Sequence, residues 1–396
     1  MKEFLRLLKR EFQLFVGNAT LRTVFFLAPV FYATLLGLVY KSGKVENTPV
    51  IVIDRDNTPL SGQLVEMLSD NKSIKVLRYL QEPASINDEV IRYEAAAVVV
   101  IPSKFEAAML QKRYPEINVY VNTGNMMTAN FATKALQLTI GTFSAGAAMK
   151  GLQKMGMSPA RAATQYEPFK TNYITLFNTT SNYLIFMWPA MLAVVLQQVI
   201  LLAMAVSFAA EFQRGSFTKE YYRMRRRAFP TMLIKVIPIW VFSVLIVSIY
   251  YGMHIIFRVP VPQGILNFML LSAFFVGSAS FLGVFISILI PDALKATQIL
   301  MVLASPAFII SGFTWPLNAM PGFVQFIANI IPLTPFLQAF KILLIQKGAV
   351  ALTFPYLQHL GILLVLYAFL GWVALKIKLG RLFKQANPAN MPGGKT

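Results

Sequence analysis

Residues able to do chemistry are scarce in this chain. The densest group lies between Glu211 and Pro230, EFQRGSFTKEYYRMRRRAFP, where Arg214, Lys219, Arg223, Arg225, Arg226 and Arg227 are basic and Glu211 and Glu220 are acidic. Long apolar segments flank this run, and positive charge between two such segments marks the cytosolic side of a membrane. Catalytic candidates elsewhere are thin. Asp54 and Asp56 follow a strand-like run where open α/β sheets bind ligands, yet no Gly-rich phosphate loop, His or Cys nucleophile accompanies them. Asp-Asn-Thr-Pro is equally an ordinary turn. His254 and His359 stand far apart and there is no cysteine at all, so no metal centre, disulfide or thiolate is expected. Both histidines read as polar residues near a membrane boundary. The terminal PGGKT (Pro392 to Thr396) lacks the first glycine of a phosphate loop, follows no strand and precedes no helix. No catalytic, cofactor-binding or metal-binding residue is therefore assigned.

The elements that position these residues are those of a membrane protein. Hydrophobic residues make up 56% of the sequence and charged ones 13%, and several windows long enough to cross a hydrocarbon core carry almost no ionisable group. The net charge of +19 sits mainly beside the apolar spans, where phospholipid headgroups account for it better than nucleic acid does. Residues 1–18 are expected to form an amphipathic interfacial helix, with Phe4, Leu8, Phe12 and Phe15 opposite Lys2, Arg6, Lys9 and Arg10. The first span covers 19–40. Residues 41–180 change character: PVIVID (Pro49 to Asp54), KVLRYL (Lys75 to Leu80), AAAVVVI (Ala95 to Ile101) and INVYVN (Ile117 to Asn122) read as strands, alternating with helical stretches. This predicts an extracytoplasmic α/β domain around a mostly parallel sheet, followed by a long helix and an extended return at TNYITLFN (Thr171 to Asn178). Residues 181–376 hold spans two to six: Tyr183 to Ala210, with Trp188 as an interfacial anchor, Thr231 to Phe257, Leu266 to Ile290, Gln298 to Phe313 and Phe354 to Leu375. Pro291 to Thr297 is expected to be a short inner turn, and 377–396 a cytosolic tail. Both termini then lie inside.

Between the last two spans, residues 314–348 are apolar enough for membrane depth but carry Pro316, Pro321, Pro332 and Pro335, too many for one continuous helix. Re-entrant half-helices gating the outer mouth of a pathway are expected, a kinked loop on the outer leaflet being the alternative. The fold class is thus an α-helical polytopic membrane protein of six spans with re-entrant half-helices before the last, plus the extracytoplasmic α/β domain. No span carries a carboxylate in its middle, which removes the usual device for coupling to an ion gradient. Energy must come from a separate subunit on the inner face.

SGFTWPLNAMP (Ser311 to Pro321), PLTPFLQAFKILLIQKG (Pro332 to Gly348) and EFQRGSF (Glu211 to Phe217) are similar to signature segments of the permease subunit of bacterial type-2 ABC exporters, in the branch with a large extracytoplasmic domain between the first two spans. Gln213 departs from that pattern, as does YYRMRRRAFP. The resemblance implies two permeases, a second copy of this chain or a sister permease, with soluble ABC ATPase subunits that hold ATP and Mg; no cofactor belongs to this chain. It implies a bacterial inner (cytoplasmic) membrane location, room for a periplasmic adaptor, and export of a hydrophobic or amphipathic compound such as a drug or lipid. Glu211, Arg214, Gly215 and Ser216 would couple to the ATPase, although charges in this loop could instead hold a helix end at headgroup level. Phe274, Phe275, Phe281 and Phe285, with Met301 and Phe308, could line an apolar path, ordinary helix packing being the alternative for each. A receptor or assembly scaffold that transports nothing is the competing function.

Overall fold

The computed structural model describes residues 2–385 apart from 83–84, 112, 114, 167–173, 175, 225 and 262–263. Arg225, the PGGKT end and much of TNYITLFN lie outside the described residues. Along the chain, α1 (Lys2–Gly17) and α2 (Ala19–Val39) precede β1 (Thr48–Asp54), α3 (Pro59–Ser69), β2 (Ile74–Leu80), α4 (Ile86–Arg92), β3 (Ala97–Ile101), α5 (Phe105–Leu110), β4 (Asn118–Val121), α6 (Met126–Lys154) and α7 (Pro159–Tyr166). Then come α8 (Tyr183–Arg214), α9 (Ser216–Glu220), α10 (Ala228–Ile256), α11 (Ile265–Leu289), α12 (Ala293–Ala304), α13 (Ala307–Ile310), α14 (Gly322–Ile330), α15 (Leu333–Leu344) and α16 (Phe354–Gln385). The chain divides into two units, 44–174 and the remainder.

The 44–174 unit is an α/β layer structure. Its sheet has the order β2-β1-β3-β4, with β1 parallel to β2 and β3 and only β4 antiparallel. Alternation sorts the central strands onto two faces. Val50, Val52, Val99 and Ile101 pack with Leu64 and Leu136 on one, and Ile51, Ile53, Val98 and Val100 face Ile86 and Val90 on the other. Burial on both sides explains why these strands read as unbroken apolar runs.

The two carboxylates after β1 tie this unit together. Asp54 accepts from the Asp56 and Asn57 backbone N–H groups and from Ser61 Oγ at 2.7 Å. Asp56 accepts from the Phe105 and Glu106 N–H groups that open α5, each at 2.9 Å, and from Thr58 Oγ1. Burial alone would raise Asp56; these donors outweigh it and hold the carboxyl below its ordinary range. Its stabilising contribution is therefore complete above the ordinary carboxylate value and is lost as the pH falls through the lowered one. Asp56→Ala is expected to weaken protection of β1 and β3 against hydrogen exchange by about 1 kcal/mol at neutral pH, and to flatten the loss of protection in acid, after correction for intrinsic exchange rates.

Among the described residues, the other unit carries six helical stretches long and apolar enough to cross a membrane: α2, α8, α10, α11, α12 with α13, and α16 with the short turn before it. Each agrees with an expected span, but α12 begins at Ala293, its start capped by Asp292, so most of the expected inner turn is helix. Similarly α16 runs past Leu375 to Gln385, and Lys378 on it donates to the Ile288 carbonyl and lies 4.0 Å above the Phe212 ring. A cation at that end fastens three helices. Helices α8 and α11 form the most buried pair and meet at a small-residue seam. A Cβ on Gly283 would stand 2.5 Å from Met204 Cβ. One turn on, Ser287 Oγ donates to the Ala205 carbonyl and accepts from the Phe208 and Ala209 N–H groups, inserting into the α8 ladder.

Trp188 is not an interfacial anchor. It is fully buried, donates from Nε1 to the Ala33 carbonyl at 2.7 Å and packs against His254 and Phe257. His254 stands in the last turn of α10 and is buried as well. The four prolines before α16 start helices more than they break them: Pro316, Pro321 and Pro332 each precede a helical turn and Pro335 sits in the first turn of α15. Helices α14 and α15 meet at 83°. The α14 carbonyls freed by that bend are taken by α16, where His359 Nε2 reaches the Asn329 carbonyl at 2.8 Å and Tyr367 donates to the Ile330 carbonyl.

Candidate functional site

The charged loop finds its partners on α1. Leu7, Glu11 and Phe15 recur at four-residue spacing and form the buried line of that helix, so a carboxylate stands among apolar side chains. From α10 comes Lys235, 4% exposed, in the apolar run TMLIKVIPIW. An ammonium this deep must be paired and hydrogen-bonded. Lys235 Nζ lies 2.9 Å from Glu11 Oε2 and 3.1 Å from Glu211 Oε1. Arg10 completes the cluster, its guanidinium 2.8 Å from both Glu11 Oε1 and Glu211 Oε1 and 3.7 Å from Glu220.

Aromatic rings seal it. Tyr221 donates its hydroxyl to Glu11 at 2.9 Å and stacks on Phe217 with centroids 4.7 Å apart. Lys235 lies 5.4 Å above the Tyr221 ring and 5.7 Å above that of Phe208. Burial, reinforced by the Glu11 and Glu211 charges, pushes Tyr221 well above the usual phenol range, so it remains a donor. Nearer solvent, Glu3 pairs with Arg6 at 2.7 Å and with Arg223 at 3.5 Å. Chiefly the Arg6 hydrogen bond holds the Glu3 carboxyl below its usual range. Helix α1 is thus latched at successive turns to α8, to α10 and to the loop between them. Two basic and two acidic groups balance within the buried part. Such a cluster is dear in desolvation and adds little net stability over apolar packing, while it fixes one geometry.

The expected coupling residues separate into two kinds. Glu211 turns inward and is spent on Arg10 and Lys235, although its Oε2 has no hydrogen-bond partner among the described residues. Arg214 is exposed in the last turn of α8, where a cation suits the helix terminus. Gly215 adopts φ 66°, the left-handed conformation that ends α8 and starts α9. Ser216 follows. A cavity of 170 Å³ lies among Arg10, Glu11, Glu211, Arg214, Ser216 and Lys235, backed by Met204 and Ile239. Glu11 and Lys235 were invisible to loop-centred reasoning, but each left a signal: one ionisable residue on the apolar face of a helix.

The aromatic residues expected along a path do not share one wall. Phe275 is buried and stacked on Phe336 at 4.2 Å, and Phe281 packs edge-on against Trp240 at 6.1 Å. Phe308 lies against Phe313, 5.9 Å between centroids. Phe285 and Met301 are half-buried. Phe274 lines a groove with Trp240 and Leu364.

Residues 20–376 match the family described as ABC-2 family transporter protein. ABC transporter G family member 20 of Dictyostelium discoideum is 23% identical over 347 residues, an overlap covering 82% of this chain and 44% of that protein. The chain therefore spans less than half the length of this relative.

Proposed function

Because the chain belongs to the ABC-2 family of transporter proteins, the match reaching into every candidate span, we propose that it is the membrane permease of an ATP-driven exporter of hydrophobic or amphipathic compounds, driven by a separate ATPase subunit. The membrane component of such a transporter has no ATPase site of its own, so motion has to be received from outside the spans. The observation that carries the reading is the Arg10–Glu11–Glu211–Lys235 cluster, which links a surface helix rigidly to two spans. A partner that pushes on α1 or on the 211–227 loop moves α8 and α10 with it, since buried, mutually paired charges cannot slide past one another without exposing one unpaired.

In this reading the permease works as a pair, with itself or a sister chain, in a bacterial inner membrane, both termini in the cytosol and 44–174 outside, where an adaptor could meet it. The basic loop supports that orientation. The bent α14–α15 pair is read as re-entrant, its freed carbonyls covered by α16 as membrane depth requires. The amphipathic cargo is supported by the apolar groove that Phe274 lines with Trp240 and Leu364. Arg214, exposed and outside the charge cluster, is the group suited to an ATPase carboxylate. Arg214→Glu is expected to leave the thermal melting of the complex within about 0.5 kcal/mol of the native protein and to lower ATP hydrolysis at least about tenfold, the equivalent of 1.4 kcal/mol. Unchanged turnover by a complex still assembled would reject Arg214 as the contact.

A further inference from the structure

Two adjoining spaces in the bundle hold polar groups that nothing in the charge cluster uses. A groove of 360 Å³ lies between α10, α11 and α16, lined by Trp240, Ser243, Val244, Ala273, Phe274 and Leu364, among others. Val244 is 63% exposed, so the groove opens on the outer surface of the bundle. A smaller cavity of 30 Å³ lies inward of it, between α8, α10, α11 and α15, and the two share Val247 and Ser272 as a common wall. Tyr250 and His254 line the inner cavity.

Along this track Trp240 Nε1, Ser243 Oγ, Ser272 Oγ, Tyr250 Oη and His254 Nε2 are buried and have no hydrogen-bond partner among the described residues. Ser243, Ser272, Tyr250 and His254 are each at least nine-tenths buried. Five orphaned groups beside these two spaces would together cost about as much as a fold retains, which points to an occupant.

We infer that this track holds a membrane amphiphile with a small, uncharged, hydroxyl-bearing head and a single alkyl chain, a monoacylglycerol being the type. Its chemistry follows from the lining. No Asp, Glu, Lys or Arg lines either space, so a charged head would be buried without a counter-ion. His254 Nδ1 lies 2.9 Å from the Tyr250 carbonyl; a carbonyl only accepts, so Nδ1 carries the proton and Nε2 of the neutral ring is left as an acceptor. Trp240 can only donate, while Tyr250 and Ser272 do either. A head that satisfies this set must both donate and accept, as a hydroxyl does. The inner cavity admits about two water-sized groups, room for the terminal hydroxymethyl of such a head but not for a sugar. The groove, almost wholly apolar and reached from the side where lipid chains lie, takes the tail. The site lies within one subunit and needs neither ATP nor the transport reading.

The test uses the full chain in phosphatidylcholine nanodiscs, without nucleotide or partner, labelled with monoolein bearing a diazirine in its acyl chain. Cross-links are expected to concentrate on α10 residues 240–250 and α11 residues 269–276. A tenfold excess of plain monoolein should remove most of them, while oleyl phosphate or oleylamine at the same excess should not. Ser272→Ala together with Tyr250→Phe, which change no charge and little volume, should cut labelling at least fivefold with the melting temperature preserved. Labelling spread evenly over the lipid-facing sides of α2 and α12, or competition equal for charged and uncharged heads, would overturn the assignment even if the double variant fails to fold.

Discussion

Glu11→Leu is expected to destabilise the spanning bundle by about 3–5 kcal/mol, because it leaves Lys235 and Arg10 sharing Glu211 as their one buried carboxylate, with the more exposed Glu220 3.7 Å from Arg10 alone. Tyr221 loses its acceptor at the same time, and a buried hydroxyl left unsatisfied adds to the cost. Lys235→Met should cost a similar amount for the opposite reason, Glu11 and Glu211 then facing one another with only Arg10 between them. The informative variant is the pair. Glu11→Leu with Lys235→Met restores charge balance, keeps the Arg10–Glu211 contact and replaces an ion pair by apolar volume, which buried sites often tolerate. Its cost should fall below the sum of the singles by about 1–3 kcal/mol. If the cluster serves coupling rather than stability, the double variant will fold, assemble with the ATPase and hydrolyse ATP out of step with movement of the spans. Thermal melting and ATP turnover on the same samples separate the two effects.

The second large effect belongs to the α8–α11 seam. Gly283→Ala places a methyl 2.5 Å from Met204 Cβ, a backbone-anchored atom that no rotamer change can move. The helices must separate, and the three hydrogen bonds of Ser287 one turn away lengthen with them. A loss of about 1–3 kcal/mol is expected from overpacking alone. Met204→Ala keeps the offending atom and should not rescue. Met204→Gly removes it and should recover part of the loss, less the propensity cost of a second helical glycine. Equal behaviour of the two Met204 variants would show that close approach at this point does not set the helix separation.

Much of the architecture was legible because its signals are local. Span lengths are dictated by bilayer thickness, and the four strands announce themselves as short β-branched runs, so their boundaries agree with the structure to within a residue or two. Contacts far apart in sequence were not legible. Trp188 near a span end suggests an interfacial ring, and only the Ala33 carbonyl, 155 positions away, reveals a buried donor. Gly215 ends α8 in the left-handed conformation, but the partners of Glu211 come from α1 and α10. A carboxylate at Glu11 on the Leu7–Phe15 line and an ammonium at Lys235 inside an apolar run were the clues, each unintelligible without the other. The prolines before α16 do divide that segment into short helices, and they do so by occupying the helix starts that their fixed φ and missing N–H suit.

Reconstitution into sealed vesicles examines the central proposal most directly. The purified chain is incorporated alone or with the ATPase that co-purifies from its own membranes, and movement of a fluorescent alkyl amide across the bilayer is followed. With the chain alone, imposed proton or sodium gradients should move nothing, since no described span holds a carboxylate in its middle to harvest them; adding the ATPase and ATP should start movement, and Arg214→Glu should stop it. Gradient-driven movement by the chain without any nucleotide-hydrolysing subunit would contradict the account.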